Sequence, residues 1–170
     1  MVIWIIGMSG AGKSAVAKFL YAEVKKKFAH TILLDGDLLR EIWGDDLGHT
    51  IEGRKKNSDR ICALCKALDV QGIHVICAVL SIFHAAQKWN RKNYSKYFEV
   101  YLEVPREELF KRDFKGLYKK ALAGKLKNVV GVDIDFPTPH HPDLVIQNYG
   151  SKKAKETARE IFKAIGNFLT

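Results

Sequence analysis

The sequence predicts an α/β fold of three layers, in which helices cover both faces of a mainly parallel five-stranded sheet. Short apolar runs rich in β-branched residues alternate with longer stretches in which apolar residues recur at helical spacing. This alternation is typical of parallel strands joined by helices, and strands without polar residues are typical of sheets buried on both faces. At 170 residues with no linker-like tract, the chain is predicted to form one domain, residues 1–170.

The individual elements follow in chain order. Five strands are predicted, at Val2–Ile6, Thr31–Leu34, Ile73–Leu80, Phe98–Val104 and Leu144–Ile146. Helices are predicted over Lys13–Lys27 and Arg54–Gln71, the second of which keeps one apolar face. Pro105 is well placed to open a helix after the fourth strand. The last segment predicts an amphipathic helix capped by Ser151, with an apolar stripe that ends at Leu169.

The composition is that of an ordinary globular protein. Apolar residues make up 47% of the chain and charged residues 28%, which argues against a wholly disordered chain. The longest apolar stretch, Val75–Phe83, is far shorter than the ~20 residues that cross a bilayer. The segment Met1–Ile6 also lacks the features of a signal peptide. We therefore expect a cytoplasmic protein without a membrane partner.

The three cysteines fit a reducing compartment, because they are odd in number and have no framework spacing. Cys62 and Cys65 read C-x-x-C, but they lie within a predicted helix, and no second pair follows to complete a zinc site. We interpret these two and Cys77 as small buried hydrophobic residues rather than as redox or metal-binding groups.

The segment between the first strand and the first helix carries the strongest motif. It reads Gly7-Met8-Ser9-Gly10-Ala11-Gly12-Lys13-Ser14 and matches the phosphate-loop pattern G-x-x-x-x-G-K-[ST]. The glycines let backbone N–H groups close around phosphates at the N-terminus of a helix. Lys13 is expected to reach the β- and γ-phosphates of a nucleoside triphosphate, and the Ser14 hydroxyl to coordinate Mg²⁺.

Two carboxylates, Asp35 and Asp37, follow the second predicted strand, at the sheet edge that also carries the phosphate loop. One of them can hold a metal-bound water while the other accepts a proton from an attacking hydroxyl. A simple polar turn around Gly36 is the alternative. The third strand ends without an acid at Ser81, and the sequence lacks an Asn-Lys-x-Asp guanine signature, so a GTPase is disfavoured.

Several basic residues suit an anionic second substrate. Arg40 lies one helical turn beyond Asp37, and Arg54 and Asn57 share one face of the next helix. These groups can clamp an anion through charge-assisted hydrogen bonds. The segment at about 106–128 is rich in cations, contains the possible hinge Gly116, and is predicted to be a lid that excludes water. For each single lysine, a solvated surface position remains an equal alternative.

Taken together, these motifs closely resemble the adenylylsulfate kinase family over about residues 2–150. The Asp-Gly-Asp and Lys-Gly-Leu-Tyr-Lys-Lys pieces together make the resemblance very specific. The matching pieces are Gly7 to Ser14, Leu34-Asp35-Gly36-Asp37 with Arg40, Leu47-Gly48, Arg54 with Asn57, Phe98-Glu99-Val100, Arg112-Asp113 with Lys115-Gly116-Leu117-Tyr118-Lys119-Lys120-Ala121, and Gly131-Val132-Asp133.

The resemblance implies a P-loop kinase-like fold and transfer of the ATP γ-phosphoryl group to a ribose 3′-hydroxyl, with Mg²⁺ as cofactor. It implies that Asp35 is the general base, that Asp37 supports the Mg²⁺ shell through water, and that Arg112 joins the phosphate loop in binding ATP. The acceptor ligands that it implies are Asp37, Arg40, Arg54, Asn57, Ser81, Lys115, Gly116 and Leu117. It also implies a homodimer.

The departures from the family cluster around the acceptor. His49 stands where the family has a phenylalanine that stacks on the acceptor base, and the partner of His49 on the other face is expected to be Phe136. The usual Ser-Pro-Tyr after the third strand is Ser81-Ile82-Phe83, and Gly53 replaces an acid. A histidine keeps a flat stacking surface and adds hydrogen-bonding capacity, which suits a different base.

Three functions therefore stay open from the sequence. The first is a kinase of a divergent branch, which resembles the cytidine diphosphoramidate kinases of capsule-polysaccharide pathways. The second is a true adenylylsulfate kinase that makes 3′-phosphoadenylyl sulfate in sulfate assimilation, with neutral drift around His49. The third is a non-catalytic nucleotide sensor or nucleic-acid-binding module that uses the net charge of +9. The intact acids and lid favour a kinase with a small-molecule partner rather than nucleic acid.

Overall fold

All five strands run parallel in one sheet, in the order β2-β3-β1-β4-β5. The computed structural model describes residues 1–166. The strands are β1 (Val2–Ile6), β2 (Thr31–Asp35), β3 (His74–Val79), β4 (Tyr97–Glu103) and β5 (Leu144–Gln147). The central strand β1 pairs with β3 and β4, so that Val2 lies between Val75 and Tyr97. The predicted fold class is thereby confirmed, and each predicted strand lies within two residues of its predicted bounds.

Seven helices connect the strands or follow them within the described residues. They are α1 (Lys13–Lys27), α2 (Gly36–Ile42), α3 (Ile51–Asp69), α4 (His84–Asn93), α5 (Arg106–Arg112), α6 (Leu117–Leu122) and α7 (Ala154–Ala164). None of these helices combines the length and the apolar character that a membrane span requires.

The sheet separates two hydrophobic cores, and β1 contributes alternate residues to each. Ile3 and Ile5 pack in the core beneath α1 and α7, whereas Val2, Trp4 and Ile6 pack in the core beneath α3 and α4. Each fully buried aliphatic side chain of this kind contributes roughly 1.5–3 kcal/mol. Burial on both faces explains why β1 contains no polar residue, and it fixes the edge at which the phosphate loop emerges.

The three cysteines lie in the core beneath α3 and carry free thiols. Cys62 and Cys65 are buried on α3, and Cys77 is buried on β3. Burial raises the pKa of the Cys62 thiol to about 11, so that the reactive thiolate is disfavoured. The three side chains therefore pack as small apolar groups.

Two helix ends differ from their predictions. Helix α3 begins at Ile51 rather than Arg54, because the Thr50 side chain accepts a hydrogen bond from Gly53 N (3.2 Å) and caps the helix. Ser151 is not the cap of α7: that helix begins at Ala154, and the Glu156 carboxylate accepts from the backbone N–H of Lys153 (3.1 Å). The predicted end of the apolar stripe, Leu169, lies outside the described residues.

Helices α4 and α6 have no counterpart among the predicted elements, and α2 was anticipated only by the helical spacing of Arg40 from Asp37. Helix α4 buries two polar residues, Gln87 and Asn90, beside Ala86, so it lacks the apolar stripe that reveals a helix in sequence. Helix α6 has only six residues, which is too short for a periodic pattern. It lies inside the predicted lid, after the left-handed Gly116 (φ +61°).

Candidate active site

The phosphate loop joins β1 to α1 and leaves the N-terminus of α1 open. Gly10 and Gly12 adopt positive φ angles of 80° and 89°, which favour glycine. At Gly12 a Cβ atom would also lie 2.8 Å from Nδ2 of Asn148. No side chain caps α1 at Gly12, so the first N–H groups of this 15-residue helix face the loop. This arrangement suits an anion at the helix end.

Lys13 supplies a cation within this loop. Its Nζ donates to the carbonyl oxygen of Met8 at 2.9 Å, which folds the side chain back across the loop. Burial lowers the pKa of Lys13 to about 8, although the negative charges of Asp37 and Asp35 act in the opposite direction. A bound phosphate would restore the charge on Lys13, because a nearby anion favours the protonated ammonium group.

Asp35 is held at both carboxylate oxygens. Oδ2 accepts a hydrogen bond from the Ser14 hydroxyl at 2.5 Å, and Oδ1 accepts from the backbone N–H of Asp37 at 3.0 Å, where it caps α2. The second strand thus brings its carboxylate to the first residues of α1. The Ser14 hydroxyl and the Asp37 carboxylate also line the cleft, and oxygen groups of this kind are the ligands that Mg²⁺ prefers.

Asp37 connects the sheet edge to the predicted lid. Its Oδ2 lies 2.6 Å from Nζ of Lys115. Lys115 directly precedes Gly116, which has a left-handed backbone conformation. Partial loss of hydration beside the cleft opposes ionisation of Asp37, but the hydrogen bond and charge of Lys115, with the charges of Lys13 and Arg40, leave its pKa below the usual value. The hydrogen bond to Asp37 also raises the pKa of Lys115. Both groups are therefore charged at neutral pH.

A cleft of about 330 Å³ joins these residues to the basic residues predicted to bind the acceptor. We call its two parts the phosphate-loop end, around Lys13, and the arginine end, around Arg54. Predicted site residues that line the cleft are Ser9, Lys13, Ser14, Asp35, Asp37, Arg40, His49, Arg54, Asn57, Ser81, Lys115 and Leu117. The other predicted site residues, which do not line it, are Gly7, Gly10, Ala11, Gly12, Arg112, Gly116 and Phe136.

The two arginines of the cleft donate hydrogen bonds to backbone carbonyls. Arg40 Nη1 donates to Gly48 O at 2.7 Å. Arg54 Nε donates to His49 O at 2.9 Å and its Nη2 donates to Asn128 O at 2.8 Å. Burial and the charges of Arg40 and Arg54 lower the pKa of His49, so its ring is neutral at pH 7. The arginine end therefore combines two fixed cations with an uncharged imidazole.

Ser81 presents a hydroxyl group at the end of β3. It adopts a left-handed conformation (φ +50°), and its Oγ accepts hydrogen bonds from Trp4 Nε1 (3.1 Å) and Gln87 Nε2 (3.4 Å). Because both contacts use lone pairs of the oxygen, the hydroxyl hydrogen stays available for donation to a hydrogen-bond acceptor in the cleft.

The expected pairing of Phe136 with His49 does not occur. The Phe136 ring stacks on Tyr101, with centroids 6.0 Å apart, and packs against both hydrophobic cores. The chain forms a tight turn before this position, where an isolated parallel bridge pairs Val130 with Ile134. The wall of the cleft is formed instead by residues 126–130, which we call the Asn128 loop.

Two further residues that sequence reasoning missed support the phosphate loop. Asn148 Nδ2 donates to Ala11 O at 2.8 Å, while its Oδ1 accepts from the Thr157 hydroxyl at 2.7 Å. The Tyr118 hydroxyl donates to Ser9 O at 2.9 Å. Asn148 directly follows β5, at the carboxyl edge where ligands of such sheets gather, and this position is the signal that could have revealed it.

Arg112, the last residue of α5, approaches the same loop from within the predicted lid. Its Nη1 donates to Asn148 O (3.1 Å) and lies 3.4 Å from Gly10 O. The guanidinium group therefore lies beside the phosphate loop, although it does not line the cleft.

Comparison with known proteins agrees with this geometry. Residues 1–147 match the family described as Adenylylsulphate kinase. The chain belongs to that family. It is accordingly a kinase, a phosphotransferase that acts on nucleotides.

Two curated relatives of the family resemble the chain equally in sequence identity. A cytidine diphosphoramidate kinase of Campylobacter jejuni is 40% identical over 164 residues, which cover 96% of this chain and 95% of the relative. An adenylyl-sulfate kinase of Pseudomonas aeruginosa is 40% identical over 147 residues, which cover 85% of this chain and 75% of the relative.

A solved structure of the family has the same fold. It is the APS kinase CysC of Mycobacterium tuberculosis in complex with AMPPNP and APS, and it matches with a TM-score of 0.88 at 30% identity. The match covers 97% of this chain and 96% of that chain.

Proposed function

We propose that the protein transfers the γ-phosphoryl group of ATP to the ribose 3′-hydroxyl of an activated nucleotide, and that this nucleotide is cytidine diphosphoramidate. The observation that carries the proposal is that Lys13, Asp35 and Arg54 line the same cavity, which has the size of a substrate site. A phosphate site, a candidate base and an anion clamp in one cavity are what an in-line transfer between two nucleotides requires.

ATP is the donor in this proposal. The open N-terminus of α1 and Lys13 bind its β- and γ-phosphates, and Arg112 lies beside the loop to contribute further positive charge. The complex of the Mycobacterium tuberculosis enzyme with AMPPNP supports this assignment.

Mg²⁺ fits the ligands available beside the phosphate loop. The Ser14 hydroxyl would bind it directly, and Asp37 would hold its shell through water. When bound, the ion neutralises charge on the phosphates. Asp35 keeps a separate task, because its carboxylate is already oriented by Ser14 and by the N–H of Asp37.

Asp35 acts as the general base. As the 3′-hydroxyl oxygen forms its bond to the γ-phosphorus, the proton passes to the Asp35 carboxylate, and the bond from the γ-phosphorus to the bridging oxygen breaks to release ADP. Lys13 stabilises the negative charge on the phosphoryl group during transfer. Closure of the lid on the Lys115–Asp37 contact excludes water and so limits hydrolysis of ATP.

The arginine end binds the acceptor. Arg40, Arg54, Asn57 and Ser81 supply hydrogen-bond donors for its anionic part, and the neutral His49 ring offers a flat face with hydrogen-bonding capacity for its base. The relative from Campylobacter jejuni, which covers nearly the whole chain, supports cytidine diphosphoramidate. Adenylyl sulfate is the second candidate acceptor. It is favoured by the adenylyl-sulfate kinase of Pseudomonas aeruginosa, which has the same sequence identity to this chain.

An ADP-release assay tests the choice of acceptor. We expect kcat/KM for cytidine diphosphoramidate to exceed that for adenylyl sulfate by about tenfold or more, since a base that leaves polar groups unpaired binds poorly. Plain cytidine 5′-diphosphate serves as the control for ADP release without the activated group. A preference for adenylyl sulfate would instead assign the protein to sulfate assimilation.

The setting that we propose follows from the substrates. The partners are small nucleotides rather than nucleic acids or membranes, and the assembly is a homodimer. ATP as donor and three free thiols fit the cytoplasm, where thiols stay reduced.

A further inference from the structure

The first turn of α3 contacts both loops that form the arginine end of the cleft. One is the Asn128 loop, and the other is the segment of residues 44–49, which we call the His49 loop. Arg54 bridges them, because its Nε donates to His49 O and its Nη2 donates to Asn128 O. The two walls of the acceptor pocket are therefore held on one guanidinium group.

Gly53 allows the His49 loop to lie this close to α3. The residue is buried, and a Cβ atom there would lie 2.0 Å from the carbonyl oxygen of Leu47 and 3.3 Å from that of Gly48. Both neighbours are backbone atoms, so no change of rotamer can relieve the overlap. Any side chain at position 53 must therefore displace the loop that carries His49.

The other side of the His49 loop is fixed by Arg40, which donates to Gly48 O at 2.7 Å. A displacement of the loop by a side chain at position 53 would act against this bond and against the bond from Arg54 to His49 O. The position of the His49 ring in the cleft thus depends on the absence of a side chain at Gly53.

Asp133 fixes the opposite wall. Its carboxylate accepts hydrogen bonds from the backbone N–H groups of Asn128 (2.6 Å) and Val129 (2.5 Å). Asn128 adopts a left-handed conformation (φ +63°), which asparagine tolerates better than most residues other than glycine. The two bonds to Asp133 fix this turn and hold the Asn128 carbonyl where Arg54 donates to it.

Neither Gly53 nor Asp133 lines the cleft, so each would act on a substrate through the loop that it holds. We propose that both are positioning residues that set the shape of the acceptor pocket and thereby select the base of the acceptor nucleotide. This inference rests on the proposed function for its substrate, but the placement of the two loops can be tested without turnover.

The experiment compares Gly53→Ala and Asp133→Asn with the wild-type protein. The control for the first is Gly166→Ala, whose added methyl group would meet nothing within 4 Å. The control for the second is Asp59→Asn, which removes an exposed carboxylate from the middle of α3. For each protein, kcat and the KM values for ATP, cytidine diphosphoramidate and adenylyl sulfate are measured.

We expect both variants to raise the KM for the preferred acceptor by about tenfold or more, since small misplacements of binding groups have large effects. The ratio of kcat/KM between the two acceptors should decrease, while the KM for ATP should equal that of the wild type. Both control variants should match the wild type in all of these values. The inference is overturned if the variants match their controls, or if the KM values for ATP and acceptor rise together. Should Gly53→Ala fail to fold, Asp133→Asn decides alone.

Hydrogen–deuterium exchange distinguishes this inference from the proposed function. Turnover of neither acceptor by the wild type would refute the proposed function. Exchange then decides the inference: we expect faster exchange at residues 47–50 in Gly53→Ala and at Asn128 and Val129 in Asp133→Asn. Exchange rates equal to those of the controls would overturn it.

Discussion

The phosphate-loop end and the arginine end of the cleft are held by different kinds of contact. Around Lys13, the backbone is fixed by regular structure: β1 is buried on both faces, α1 begins at the loop, and two glycines adopt the required positive φ angles. Around Arg54, two loops are joined through hydrogen bonds from arginines to backbone carbonyls. The first arrangement suits a donor shared by many kinases, and the second can change with the acceptor.

The largest effect is expected at the junction of the two ends, where Asp35 lies. Asp35→Asn keeps the side-chain oxygen that caps α2 but removes the base, so kcat should fall by about 10²- to 10⁴-fold. The dissociation constant for ATP, measured by calorimetry, should stay unchanged. A variant with the kcat of the wild type would remove Asp35 from the mechanism.

A change behind the phosphate loop should affect the donor alone. Asn148→Asp removes the N–H donor to Ala11 O but retains the oxygen that accepts from Thr157. We expect the KM for ATP to rise by about tenfold, as for loss of a buried hydrogen bond, with the KM for the acceptor unchanged.

The matched control for Asn148→Asp is Gln147→Glu, which adds the same charge at the neighbouring exposed position. An equal rise of both KM values in Asn148→Asp would show that the two ends of the cleft are not independent.

The pKa of Lys13 predicts a pH dependence confined to the phosphate-loop end. Burial lowers that pKa to about 8 in the free protein, and a bound triphosphate raises it again. ATP binding should therefore take up protons near and above pH 8, and ATP affinity should fall as the pH rises through that value.

Calorimetry in buffers of different ionisation enthalpy measures this proton uptake, and Lys13→Met should abolish it. Proton release by the wild type, or the same uptake in Lys13→Met, would contradict the assignment. The free energy of unfolding depends on pH in the opposite direction to ATP affinity. Because the pKa of Lys13 in the folded protein is lowered from 10.5, the contribution of Lys13 to stability increases between pH 8 and pH 10.5.

The smallest effect is expected for the contact between the lid and Asp37. The side chains of Lys115 and Asp37 are 67% and 76% exposed, so Lys115→Met should change the free energy of unfolding by less than ~1 kcal/mol. Urea denaturation measures this change, with Lys111→Met as a matched exposed ion-pair control. A loss well above that of the control would mean that the lid contributes to the stability of the fold.

The same contrast explains what could be predicted from the sequence. Strands buried on both faces and the phosphate loop have local patterns, so β1 and the loop around Lys13 were predicted at their observed positions. Helix α4 was not predicted, because its buried face contains Gln87 and Asn90 rather than an apolar stripe. Periodicity detects an element only where its buried face is apolar.

The wall of the cleft opposite His49 could not be predicted from the sequence for a different reason. The wall opposite His49 depends on how the chain turns between Asn128 and Asp133, where two backbone N–H groups meet one carboxylate. That turn orients Phe136 toward Tyr101 instead of the cleft. The bond that joins this turn to α3, from Arg54 Nη2 to Asn128 O, connects residues 74 positions apart, and spacing along the sequence does not encode it.

All roles proposed for the cleft depend on the transfer of a phosphoryl group between two nucleotides. Phosphorus NMR of the products from ATP, Mg²⁺ and cytidine diphosphoramidate tests it most directly. We predict one new phosphomonoester on the ribose 3′-oxygen for every ADP formed. ADP accompanied only by inorganic phosphate, or a phosphoryl group on any other position, would contradict the account.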